Sequence, residues 1–191
     1  EDGAYTFQSA HWVDGLIVFD TRAIPPVVVH WPASVDCSTV ELDNQGPWLT
    51  PDDKFALAHR SLVPRSTHHY WYYNRRWYYG PDGYYDGRRG LSEEKREVVI
   101  YNVSDPTSPT LLSGVDIGGD IFGLSIDSNG NYAYVSTGQV KIIDLHDVTA
   151  PFIVGLTDNG DCNGKVRFTA PTAAGLYLFA ICADESRLMV Y

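Results

Sequence analysis

Basic residues are scarce: 14 Lys and Arg stand against 24 Asp and Glu in 191 residues, a formal charge of −10. A surface of that sign repels phosphates, so non-specific binding to nucleic acid, which needs a basic footprint, is excluded as the chain's role. No run is long and apolar enough to cross a bilayer, and membrane insertion is not expected. The 3.6-residue period of long helices is almost absent. The three cysteines fit either buried thiols or one disulfide with a thiol left over, and number alone does not separate these. There is no G-x-S-x-G elbow, phosphate loop or H-E-x-x-H helix, so no catalytic residue is nominated.

What the chain does contain is repetition. GLIVFDTRAIPPVVV from Gly15 returns as EVVIYNVSDPTSPTLL from Glu97 and QVKIIDLHDVTAPFIV from Gln139, and RLMVY from Arg187 begins the line again. The strand-ending residues Asp20, Asn102 and Asp144 fall 82 and 42 residues apart, which sets a unit of roughly 40–48 residues. Within one unit, Ile121–Asp127, Tyr132–Thr137, Val140–Leu145 and Phe152–Thr157 read as short strands A to D, bounded by Gly, Asn, Asp and Pro. The fold class is therefore all-β: β-propeller blades of four antiparallel strands, with strand A innermost and strand D at the rim. The Ser128–Asn131 connection has the composition of a tight hairpin turn, which is preferred over a calcium loop because no terminal Glu follows.

Val98–Pro109 (VVIYNVSDPTSP) and Val140–Pro151 (VKIIDLHDVTAP) resemble the LVIVD-repeat family of β-propellers, and Leu16–Pro26 is a poorer copy lacking the second acid of the turn. The resemblance implies a secreted or cell-surface context and little about activity. Threading the chain on that template gives strands B, C and D before Ser34, two complete blades, then A, B and C. These 14 strands make an incomplete ring within one partial propeller domain, residues 1–191. The ring is expected to be completed by the rest of a longer polypeptide, from which this is a fragment or processed product, in preference to a second copy of the chain.

An insertion at about residues 61–96 separates strands B and C of one blade. It holds Tyr70, Trp71, Tyr72, Tyr73, Arg75, Arg76, Trp77, Tyr78, Tyr79, Tyr84 and Tyr85, with seven of the chain's 13 tyrosines and seven bases against four acids. Tyr, Trp and Arg anchor interfaces because they bury large area at low rotamer cost and keep a hydrogen-bonding tip. They also stack on sugar rings. Three readings stay open: the insertion sheathes its own blade, meets another protein chain, or holds carbohydrate.

Propeller geometry puts the B–C and D–A connections on one rim. The D–A connections carry Asp36, Asp120 and Asp161, which either cap their own turns or line the channel mouth. Cys37 and Cys162 each follow one of these acids. With a hairpin centred near Ala173, Cys162 faces Cys182, so a Cys162–Cys182 disulfide and an extracytoplasmic home are expected. The sequon at Asn102 fits secretion as a glycosylation site. His59, His68 and His69 are weak metal candidates, since adjacent residues of an extended chain point opposite ways; no metal or other cofactor is expected.

The function expected from these features is that of a noncatalytic, extracytoplasmic propeller segment, a protein-binding or assembly module acting through its Tyr/Trp/Arg-rich insertion. Its partner is another chain or the rest of the same propeller. The alternative is a metal-dependent or carbohydrate-active propeller enzyme using the same face.

Overall fold

A computed structural model describes residues 4–11, 16–30, 41–42, 46–61, 69–73, 76–80, 96–118, 121–157, 166–182 and 187–191. Every regular element among them is a strand. The first sheet comprises β1 (Tyr5–His11), β2 (Leu16–Asp20), β3 (Val27–His30) and β4 (Glu41–Leu42), in the order β3-β2-β1-β4. The second comprises β5 (Trp48–Leu49), β6 (Phe55–Ser61), β9 (Arg96–Asn102) and β10 (Thr110–Asp116), in the order β10-β9-β6-β5. Between β6 and β9, β7 (His69–Tyr73) and β8 (Arg76–Gly80) form a separate two-stranded sheet. The third sheet runs β11 (Gly123–Ile126), β12 (Tyr132–Ser136), β13 (Val140–Asp144) and β14 (Phe152–Leu156), and the fourth runs β15 (Val166–Pro171), β16 (Leu178–Cys182) and β17 (Arg187–Val190).

All pairings are antiparallel, and the third sheet realises the expected order of strands A to D. Two features depart from the expected layout. Glu41–Leu42 pairs with His11 and Ala10, so the first sheet has an inner strand that follows its rim strand in the chain. The insertion, expected as an extra segment without assigned strands, contains a hairpin of its own.

The sheets stack face to face, as alternation dictates. Along β9, Val98 and Ile100 join Leu57, Val115, Ile121, Leu124, Ala133, Val135 and Ile143 in a core between the second and third sheets. The intervening Val99 and Tyr101 join Leu16, Ala56 and Ala58 in a core between the first and second. Val140 packs with Val166, Leu178, Ala180 and Cys182 between the third and fourth. Full burial of each Val, Leu or Ile side chain among these contributes about 1.5–3 kcal/mol, and β9, covered on both faces, reads as the near-continuous apolar run EVVIY.

The A–B hairpins repeat in backbone detail. Thr50 N–H donates to Phe55 O and Asp53 N–H to Thr50 O, while Asp127 and Gly130 do the same with Tyr132 and Asp127, and Thr172 and Gly175 with Tyr177 and Thr172. The second donor of each set sits at positive φ: Asp53 at 58°, Gly130 at 76° and Gly175 at 66°. Glycine adopts that conformation without strain and Asp tolerates it. Hydroxyls also link neighbouring blades, Ser113 Oγ donating to Val148 O at 2.6 Å and Ser128 Oγ to Ala173 O at 2.7 Å.

Candidate functional site

The insertion leaves the second sheet at Ser61 and returns at Arg96, which pair with each other. Glu97, one residue on, receives Arg60 Nε at 2.9 Å and Nη2 at 2.7 Å on one carboxylate oxygen. Asp116, at the end of β10, stands opposite Glu97, and Ile117 N–H donates to Arg96 O at 2.7 Å. The connection from β10 towards β11 therefore starts at the same rim as the insertion. In the third sheet the β12–β13 turn, the start of β11 and the end of β14 likewise meet around Ser136 and Val140. Lys141 Nζ donates to Ile117 O, tying the two blades at this rim.

Within the insertion, the register is Tyr70 to Tyr79, Trp71 to Tyr78, Tyr72 to Trp77 and Tyr73 to Arg76. Arg75, Tyr84, Tyr85 and His68 lie outside the described residues, as do Asp36, Asp120 and Asp161. At the D–A turn after β10, the carboxylate that binds the backbone is that of Asp116, which accepts from Gly118 N–H at 2.9 Å. Composition alone did not distinguish Asp116 from its neighbour Asp120. His59 stacks edge-on to Trp48, ring centroids 6.5 Å apart. Among the described residues no three His, Cys, Asp or Glu side chains gather as metal ligands.

Cys182 is buried and disulfide-bonded. Its partner lies outside the described residues. The register corrects the expected hairpin centre: Pro171 pairs with Leu178 and Ala170 with Phe179, so the turn centres between residues 174 and 175 rather than at Ala173. After a bulge, Val166 stands opposite Cys182, and a bond to Cys162 would have to come from beyond the ladder.

The opposite rim carries a cleft of about 440 Å³ between the second and third sheets, lined by Thr50, Asp52, Phe55, Asn129, Leu145 and His146 among others. Thr50 Oγ1 donates to Asp52 at 2.7 Å, and His146 Nδ1 lies 2.8 Å from Asp144, beside the lining. Neither Asp52 nor His146 is marked by any motif in the sequence. The arrangement offers hydrogen-bonding groups along an apolar wall of Phe55, Leu145 and Val148.

No protein-family model matches the chain, and no curated protein is similar to it in sequence. Among solved structures, it is similar to hydrazine synthase of Kuenenia stuttgartiensis, with TM-score 0.55 and 13% identity over 100% of this chain and 56% of that one. It is also similar to dipeptidyl peptidase 4 of Porphyromonas gingivalis, with TM-score 0.52 and 16% identity over 96% of this chain and 29% of that one. The chain thus spans about half the length of the first and less of the second. Both neighbours are propeller-like, and at such identity the likeness shows the fold alone. Together with the stacked antiparallel sheets it establishes β-propeller architecture, with a ring that does not close within this chain.

The acids of the recurring turns serve the backbone. Asp20, Asn102 and Asp144 each end a C strand, and each side-chain oxygen accepts the N–H two residues on, from Arg22, Ser104 and His146 at 2.8–2.9 Å. Asn102, the sequon residue, is half-buried in this role. Asp105 and Asp147 repeat the pattern one turn later, taking both the N–H and the hydroxyl of Thr107 and Thr149. Asp127 accepts from the N–H groups of Asn131 and Tyr132, which supports the hairpin reading over a calcium loop. Hydrogen bonds from Thr107 and Thr149 hold the Asp105 and Asp147 carboxyls below their ordinary value of 3.8, and the backbone N–H and ring of His146 do so for Asp144. A carboxyl depressed by folding contributes stability above its unfolded value and loses it as pH falls through the folded one. The thermal midpoint is therefore expected to be level from about pH 7 to 5 and to fall below about pH 4, with a shallower acid limb in Asp105→Ala/Asp147→Ala. Superimposable acid limbs for the two proteins would show that these carboxyls carry no stability.

Proposed function

We propose that this chain is a noncatalytic, extracytoplasmic propeller segment of the LVIVD-repeat type whose work is protein binding, with the β7–β8 hairpin as the contact. One observation carries this reading: the insertion forms a self-paired ribbon in which seven of ten strand residues are Tyr or Trp. A two-stranded ribbon is marginal in water by itself, so it gains order by laying an aromatic face on another surface. Its residue types are those of interface anchors. The insertion is also basic, at a net +3, on a body that carries the remaining −13, which favours an acidic partner surface such as a second copy of the body. Light scattering on the purified chain is expected to report an oligomer. Replacing Tyr72, Tyr73, Trp77 and Tyr78 with Ala should reduce it to a monomer with unchanged β-sheet circular dichroism. An oligomer mass unaffected by the four substitutions would remove the hairpin from the contact.

The disulfide at Cys182 supports an oxidising home, since cytosolic thiols are ordinarily kept reduced. We assign its partner as Cys162, the cysteine nearer in the same repeat. A non-reducing peptide map should contain a Cys162–Cys182 linked peptide and leave Cys37 alkylated; a Cys37–Cys182 peptide would overturn the assignment.

A further inference from the structure

We infer that the outer face of the fourth sheet is a second interaction surface, independent of the hairpin, and that its occupant is a further four-stranded blade of the same repeat. The inference starts from positions that correspond between copies. In the C strands, Leu188 matches Val98 and Val140, and Val190 matches Ile100. Val98, Val140 and Ile100 are at most 1% exposed, because the following sheet lies over them. Leu188 and Val190 are 59% and 56% exposed, and their cross-strand partners Ile181 and Phe179 42% and 36%.

These four residues form one apolar face, because alternation in β16 sends Leu178, Ala180 and Cys182 to the inner core and Phe179 and Ile181 outward. Exposed side chains of this size on adjacent strands make a contiguous patch of the sort that marks an interface. The face continues an interface that the chain already builds three times. At each existing junction the incoming sheet offers apolar residues from its B strand: Ala56 and Ala58 onto the first sheet, Ala133 and Val135 onto the second, and Leu178 and Ala180 onto the third, the last two pairs alternating small with branched. A partner with that alternation would fit the same way.

A second copy docking head to tail would have to present the outer face of its first sheet. Alternation places Ile17 there, with Thr6 and Gln8 on β1, away from Leu16 and Phe7, which face the second sheet. Ile17 is already completely covered within the chain. The B-strand residues of that face, Thr6 and Gln8, are polar, unlike the apolar B strands of the incoming sheets, so a further blade is the occupant.

The chain itself supplies the probe. Because Leu188–Tyr191 corresponds to Val98–Tyr101, extending the 191-residue chain at Tyr191 with its own residues 102–157 continues the repeat in phase and adds a rim strand and a complete blade. The extension is expected to lower binding of the dye anilinonaphthalenesulfonate severalfold and to raise the thermal midpoint. L188E in the extended chain should restore the dye signal and lower the midpoint. In the unextended chain, where the position is exposed, L188E should leave the β-sheet circular dichroism unchanged. Dye binding that does not fall on extension, or an appended segment that stays unfolded, would overturn the inference. So would an unextended chain whose dimer is dissolved by L188E, since that would seat a second copy on this face.

Discussion

Face-to-face burial of apolar sheet faces is the constraint on which the rest of this structure depends. The strand β9 shows it most fully, with Val98 and Ile100 sealed against one neighbouring sheet and Val99 and Tyr101 against the other. A strand buried on both sides has no polar face, and so β9 is apolar from Val98 to Tyr101. Rim strands behave differently: β14 alternates between exposed and half-buried positions. The gradient from sealed inner strands to a partly wetted rim is what stacking of sheets about an axis produces.

Polar chemistry is pushed to the two rims. At one, Asp and Asn side chains at the A–B and C–D turns are occupied with backbone N–H groups. At the other, the Arg60–Glu97 pair braces the strand ends from which the insertion departs. The pair is about one-fifth exposed on each side, and its value lies more in fixing the base of the excursion than in raw stability.

Much of the scaffold was legible because its signals are local. The recurring C strands, the SNGN turn and the strand order of the third sheet all follow from alternation and turn chemistry within about 40 residues. Glu41–Leu42 was not legible: two residues carry no period, and their pairing with β1 is set by the chain's return path. The β7–β8 hairpin was hidden because aromatics at almost every position show no alternation. The fourth-sheet register was misplaced for a related reason. Ala173 and Ala174 carry no turn signal, whereas Gly175 at positive φ fixes the corner. Of the candidate site, the aromatic insertion and the rim were readable from composition and connectivity. Asp116 and the cleft residues were not, because their roles arise from register and from contact between blades.

Urea unfolding of Ile100→Ala against Val154→Ala tests the stacked-sheet account most directly. Ile100 is sealed between sheets, and Val154 lies on a partly exposed rim strand. The account predicts a loss of about 2–5 kcal/mol for Ile100→Ala and less than about half of that for Val154→Ala. Equal, small losses at both positions would contradict it.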